Sequence, residues 1–227
     1  IVNFMLYEVY SNFTINTYWM NVGLLILGYI VSLVSGKSFE EYLRKEVFAP
    51  LEMKDTTFFP NKEQEKRLVR LVKRKGNKLV DVTDTKEDTQ EFLRHGAYRY
   101  EAGCGGLYGT ITDYEHMARM LCSNGMYQGK QFLRPETVCL MHTEAQKQHL
   151  EPEPGFTWGL SVKIRQNPEL SGSYAHKGTY GWSGAFGTHF FVCPDEKLEA
   201  VFMTNRSDLG GSGSYISEKV EELVFGS

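Results

Sequence analysis

Residues 18–34, YWMNVGLLILGYIVSLV, form the most apolar run in the chain, broken chiefly by Asn21 and Ser32. A membrane-crossing helix needs roughly 20 apolar residues. The dense part, 22–34, is shorter and ends at Ser35-Gly36, a helix stop. The pattern predicts a helix buried in a core, and no membrane span. Ser38 with Glu41 three residues on is a capping-box signature for a helix over 39–48, which Pro50 ends. Helical spacing returns at 114–122, where Met117, Met120 and Leu121 share one face and Asp113 is placed to cap. Pro135 sits at the first turn of a further helix containing Val138, Leu140 and Met141. The segment 146–155, QKQHLEPEPG, reads as a linker stiffened by Pro152 and Pro154. Beyond it the period shortens to that of strands. Strands are expected over 156–164, 186–193 and 198–204, the last two as a hairpin about Pro194-Asp-Glu-Lys, with a short extended piece at 174–177. A final helix, 215–225, should pack on the sheet through Ile216, Val220, Leu223 and Val224. The expected class is therefore α+β, mainly helical over 1–146, with an antiparallel sheet and a C-terminal helix over 147–227.

Composition narrows the picture. The chain has 227 residues, 41% of them hydrophobic, which suits one globular domain or two intimately packed subdomains. A net charge of −3 gives no bulk attraction to nucleic acid. The basic cluster Lys73-Arg74-Lys75 lies among Glu63, Glu65, Asp81, Asp84, Glu87 and Asp88, so it reads as a solvated helix and hairpin. Cys104, Cys122, Cys139 and Cys193 include no C-x-x-C pair, and the six histidines form no H-E-x-x-H. There is no P-loop, and Gly103–Gly106 lacks the dinucleotide pattern. Neither a metal nor a cofactor is expected. The cysteines do not reveal the compartment. Ile1-Val-Asn-Phe-Met-Leu resembles neither a signal peptide nor an ordinary domain start, and the chain reads as if entered partway through.

The stretch 178–194, GTYGWSGAFGTHFFVCP, concentrates glycine before an apolar strand. Glycine within a strand carries an entropic cost and commonly marks a bulge or a close approach to the backbone. Taken alone, the stretch fits an inert glycine-rich hairpin as well as an oxyanion-binding strand edge. Gly181-Trp182-Ser183-Gly184-Ala185 falls one residue short of the nucleophile elbow G-x-S-x-G. That elbow needs a helix after it, and here a strand follows, so Ser183 is not read as a nucleophile.

Several segments taken together carry a resemblance. In chain order they are YSN at 10–12, LLILGYIVSLVSGKSFEEYLRKEVFAPLEMKDTTFF, GCGGLYGTITDYEHMARML, YGWSGAFGTHFFVCP and VFMTN. The chain thereby resembles the serine β-lactamase and penicillin-binding-protein family, and within it class C β-lactamases and their carboxylesterase relatives. The resemblance implies a β-lactamase/transpeptidase-like α+β fold and acyl transfer to serine on a small-molecule ester or amide. In that family a serine and lysine in S-x-x-K supply the nucleophile, a tyrosine relays its proton, and a K-T-G-like strand faces the serine. By position, Tyr10 corresponds to the tyrosine and Asn12 to the third place of its motif. Trp182, Ser183 and Gly184 correspond to the strand motif, with the Ala185 N–H in the oxyanion hole. A second register places Trp19 at the tyrosine position; Tyr10 is preferred. Trp182 stands where a lysine would pair with a substrate carboxylate, so anionic β-lactams should bind less well.

The chain departs from the family in one decisive way: no serine is followed three residues later by lysine. The resemblance implies a portion lacking the N-terminal strands and the nucleophile helix, predicted inactive alone. A non-catalytic ligand-binding scaffold and an acyltransferase of the same fold remain open alternatives. An uncovered sheet edge would invite self-association.

Overall fold

The structure, a computed structural model, describes residues 15–88, 101–145, 153–160, 162–210 and 214–226, with side chains from Val22 onward. Helix α1 spans Ile15–Ser35. It forms where the apolar run predicts, but among the described residues it is not buried. Ile26, Leu27, Tyr29, Ile30, Leu33 and Val34 are exposed, and the helix is approached at Gly28 by the Phe39 ring and at Leu24 and Gly28 by the Gly103 backbone. The run is apolar all round, so packing along one side leaves the other faces open. Among the described residues no single helix is long and apolar enough to cross a membrane, although Val22–Ser35 with Phe39–Phe48, bent by 76°, passes by length and composition.

Helix α2, Phe39–Leu43, starts as its cap predicts: the Ser38 hydroxyl accepts from the Glu41 N–H at 3.1 Å. It widens into one π-type turn over Arg44–Phe48, which drops Phe48 into the core. The charged segment holds a short helix α3, Lys62–Glu65, and a hairpin of β1, Val72–Lys75, and β2, Lys78–Asp81.

Helix α4 runs Ile111–Cys122, three residues earlier at its start than the sequence pattern suggests. The cap is Thr110, whose hydroxyl accepts from the Asp113 N–H at 3.1 Å. Asp113 is thereby released to accept from the Asp55 N–H at 2.7 Å and the Thr56 hydroxyl at 2.8 Å, tying the preceding loop to the helix. Strands β3, Met126–Tyr127, and β4, Lys130–Gln131, form a small hairpin before α5, Pro135–Met141. Val138 of α5 is fully buried, whereas Leu140 is exposed.

The second half is a five-stranded antiparallel meander in the order β5-β6-β7-β8-β9. The single strand expected over 156–164 is two: β5, Phe156–Trp158, and β6, Lys163–Arg165, paired through Trp158↔Lys163 and turned by the Gly159 N–H to Val162 carbonyl bond. A short helix α6, Pro168–Ser171, leads toward β7, Tyr180–Ser183; residues 174–177 form no strand. Strand β8, His189–Cys193, begins three residues later than expected because 184–188 form a turn. Strand β9, Leu198–Phe202, follows the Pro194–Glu196 turn, and α7, Tyr215–Phe225, closes the described chain.

One core joins the helical half to the sheet. Phe48, Leu51 and Met53 meet Met120 and Leu121 of α4, Val138 of α5, and Ile164, Tyr180 and Val192 of the sheet. The register Ile164↔Tyr180↔Val192 places these three on one face, and alternation sends Gly181, Ser183 and Phe191 to the other. Helix α7 covers that second face, with Phe225 packed on Phe191 at 5.3 Å between ring centroids.

Candidate functional site

The glycine-rich stretch becomes the end of β7 and its turn into β8. Strands β7 and β8 are in register over Tyr180↔Val192, Gly181↔Phe191, Trp182↔Phe190 and Ser183↔His189. Gly181 is a steric requirement: a side-chain carbon there would lie 2.0 Å from the Phe190 carbonyl oxygen. On its other side β7 pairs with β6 only at Tyr180 and Gly181. Among the described residues, its β6-facing edge is therefore open from Trp182 onward.

The Gly184 N–H donates to the Thr188 carbonyl at 2.8 Å, and the Gly187 N–H donates back to the Gly184 carbonyl at 3.1 Å. Ala185 and Phe186 are the two central residues of this turn. Ala185 is exposed, and among the described residues its N–H has no hydrogen-bond acceptor. A side chain at Gly210 would collide with the Ala185 carbonyl, so that glycine lets the chain back the turn closely. Trp182 is half-buried, its ring 4.8 Å from that of Trp158 on β5.

Ser183 points the other way. It is 5% exposed, and its hydroxyl lies 2.8 Å from Nδ1 of His189, its cross-strand partner. Nε2 of His189 lies 3.4 Å from Glu221 on α7. Glu221 pairs with Arg165 at 2.6 Å and accepts from the Ser173 hydroxyl at 2.6 Å. Burial acts to raise the Glu221 carboxyl; His189, the Arg165 charge and the Ser173 hydroxyl outweigh it and hold the pKa below the ordinary carboxylate value. Burial also lowers the Arg165 pKa, against the pull of Glu221. A cavity of about 390 Å³ adjoins this layer, lined in part by Arg165, Thr179, Ser183, His189 and Glu221. Ser, His and Glu here are the residue types of a hydrolytic triad. However, Ser183 lies in a strand-turn-strand, not on an elbow, and is held under α7, so the set reads as a polar layer joining sheet to helix.

Of the site residues expected from the sequence, Trp182, Ser183, Gly184 and Ala185 come together at this turn. Tyr10 and Asn12 lie outside the described residues. Trp19 belongs to the second turn of α1, and its side chain is outside the described part. Sequence reasoning missed His189, Arg165 and Glu221. The hairpin register supplies the signal for His189, since a turn at 184–188 places 189 opposite 183. For Glu221 the signal is its i, i+4 spacing from Ser217, because these two residues, not Leu223, are buried on α7.

Comparison with known proteins places these features in context. The family model described as Beta-lactamase matches residues 12–224. An uncharacterized protein of Mycobacterium tuberculosis is 28% identical over 198 residues, covering 78% of this chain and 46% of that protein. Among solved structures, EstCE1, described as a hydrolase with promiscuous acyltransferase activity, superposes with a TM-score of 0.74 at 21% identity, over 88% of this chain and 54% of that one. The octameric penicillin-binding protein homologue from Pyrococcus abyssi gives a TM-score of 0.62 at 22% identity, over 91% and 42%. The chain spans about half the length of the relatives it matches.

Proposed function

Because this chain belongs to the beta-lactamase family, we propose that it is the oxyanion-strand portion of a serine hydrolase acting on an ester or amide through an acyl-serine intermediate. The observation that carries the proposal is the Ala185 N–H, in an exposed residue of a backed turn at an open strand edge, without an acceptor among the described residues. A donor held in that way costs no reorganisation when negative charge develops on a carbonyl oxygen. Rigid backing comes from the β7–β8 ladder, the Gly210 approach and the Ser183–His189–Glu221 layer beneath.

In this reading a serine attacks the carbonyl carbon of the substrate, and the resulting oxyanion sits on the Ala185 N–H and the serine's own N–H. Tyr10 takes the serine proton and passes it to the leaving group, and Asn12 orients the substrate. Collapse of the tetrahedral intermediate expels the alcohol or amine, and water then releases the acid. Water as the acceptor makes the protein a hydrolase, and an alcohol or amine makes it an acyltransferase; the acyltransferase activity named for EstCE1 supports keeping the second as an outcome. The nucleophile would come from an S-x-x-K segment outside these 227 residues, which contain none. Residues 1–146 and 147–227 are taken as two parts of one such domain.

The test is direct. The intact coding sequence should contain S-x-x-K upstream, and its product should hydrolyse p-nitrophenyl esters and label with a fluorophosphonate at that serine. The 227-residue chain alone should turn over neither p-nitrophenyl esters nor nitrocefin. An intact sequence without S-x-x-K would overturn the enzyme reading in favour of a ligand-binding scaffold. Labelling of the present chain at Ser183 would overturn the assignment of that residue.

A further inference from the structure

Strand β8 has the candidate oxyanion turn at one end and a different constellation at the other. Cys193 closes the strand with 1% of its surface exposed. The Pro194–Glu196 turn follows, and Lys197 takes a left-handed conformation, φ 52°, to start β9. His176 approaches from the loop before β7. Its Nδ1 contacts a Glu196 carboxylate oxygen. A ring nitrogen of His176, Sγ of Cys193 and a carboxylate oxygen of Glu196 all lie within 4.8 Å of one another.

We propose that His176, Cys193 and Glu196 form a binding site for a divalent transition-metal ion of the zinc type. One thiolate, one imidazole and one carboxylate are the ligand types zinc accepts, whereas magnesium and calcium favour all-oxygen sites. Zinc bonds of about 2.0–2.3 Å arranged tetrahedrally separate donors by roughly 3.3–3.8 Å. The three donors lie within 4.8 Å of one another, and two of the three side chains, His176 and Glu196, are exposed and can adjust to that spacing. Charge also balances: a divalent ion against one thiolate and one carboxylate sums to zero, and the thiol proton leaves to solvent on binding. Three protein ligands leave a fourth position for water. The His176 ring is steadied by Phe225 at the end of α7, 5.1 Å between centroids, so the ion would clamp loop, β8–β9 turn and helix terminus together. The linear sequence conceals the set because His176 is 17 residues from Cys193, and the Cys-x-x-Glu half is not a familiar metal spacing.

The experiment is titration of the 227-residue chain with zinc chloride against a chromophoric chelator, and with cobalt chloride in the spectrometer. One equivalent per chain is expected, with a near-ultraviolet thiolate-to-cobalt band and the visible bands of four-coordinate cobalt. His176→Gln and Glu196→Gln, both at exposed positions, should each weaken binding at least tenfold while leaving the metal-free circular dichroism unchanged. Cys193→Ala should abolish the thiolate band. Zinc should raise the melting temperature of the parent chain but not that of His176→Gln. Absence of stoichiometric binding would overturn the site, as would cobalt binding unchanged in both exposed-residue variants. His176 and Glu196 would then be a surface ion pair beside a structural thiol.

Discussion

Glu221 sets the energetics of the layer beneath the candidate oxyanion turn, because Arg165, Ser173 and His189 all converge on its carboxylate. Removing one partner of a buried ion pair leaves an uncompensated charge, at a cost of about 3–5 kcal/mol. Glu221→Gln should therefore lower stability by about 3 kcal/mol in urea denaturation. Ser183→Ala should cost less, about 1–2 kcal/mol, since it removes one buried hydrogen bond to His189. The pH dependence has a definite sign. A carboxyl whose folded pKa lies below its unfolded value adds stability above the ordinary carboxylate range, and that stability is lost as pH falls through it. Urea midpoints measured from pH 7 down to pH 3 should fall less steeply for Glu221→Gln than for the parent chain. Parallel slopes would show that Glu221 does not titrate out of a stabilised state. Trp182 makes a separate prediction in the intact protein. Trp182→Lys should shift relative kcat/KM toward carboxylate-bearing β-lactams by about tenfold, ~1.4 kcal/mol, through a charge-assisted contact the indole cannot make.

At the scale of elements, α4 shows how local signals left more than one start available. Thr110, Thr112 and Asp113 are all suitable caps, and propensity alone does not choose among them. The choice falls to Thr110 because Asp113 is drawn into the bonds from Asp55 and Thr56. Thr110→Ala should destabilise by about 1 kcal/mol. Asp113→Ala should cost more, about 2–3 kcal/mol, because it removes a buried carboxylate and leaves the partly buried Asp55 N–H and Thr56 hydroxyl without their acceptor. Denaturant midpoints for the two variants would check the order, and the reverse order would show that the Thr110 cap outweighs the Asp113 contacts to Asp55 and Thr56. The break between β5 and β6 has a similar origin. Alternation continues through Gly159, but the turn is set by Gly159 bonding Val162 and by Leu160 bonding Met141 of α5, a contact between segments far apart in sequence.

For the whole molecule, the outer edge of β9 has no partner strand among the described residues, and elsewhere α1 presents Leu27, Leu33 and Val34 to solvent. Unpaired backbone groups at a strand edge and exposed apolar surface each favour association between chains. Sedimentation of the 227-residue chain should show association that grows with concentration; a monodisperse monomer across the range would count against it.

Periodicity, caps and glycine act over a few residues, so the sequence alone carried the class of fold and the place of the glycine-rich turn, but not the break into β5 and β6 or the strand Tyr180–Ser183. It also marked Trp182–Ala185 as the stretch to watch. What those residues face depends on tertiary contacts: Ser183 turns under α7 onto His189, while the Ala185 N–H meets no acceptor among the described residues in an exposed turn. Tertiary structure decided, too, that an all-round apolar helix is exposed among the described residues and that a polar pair, Ser217 and Glu221, is the buried face of α7. Burial, ion pairing and the gathering of His176, Cys193 and Glu196 depend on segments distant in sequence meeting in space, and no local pattern encodes that.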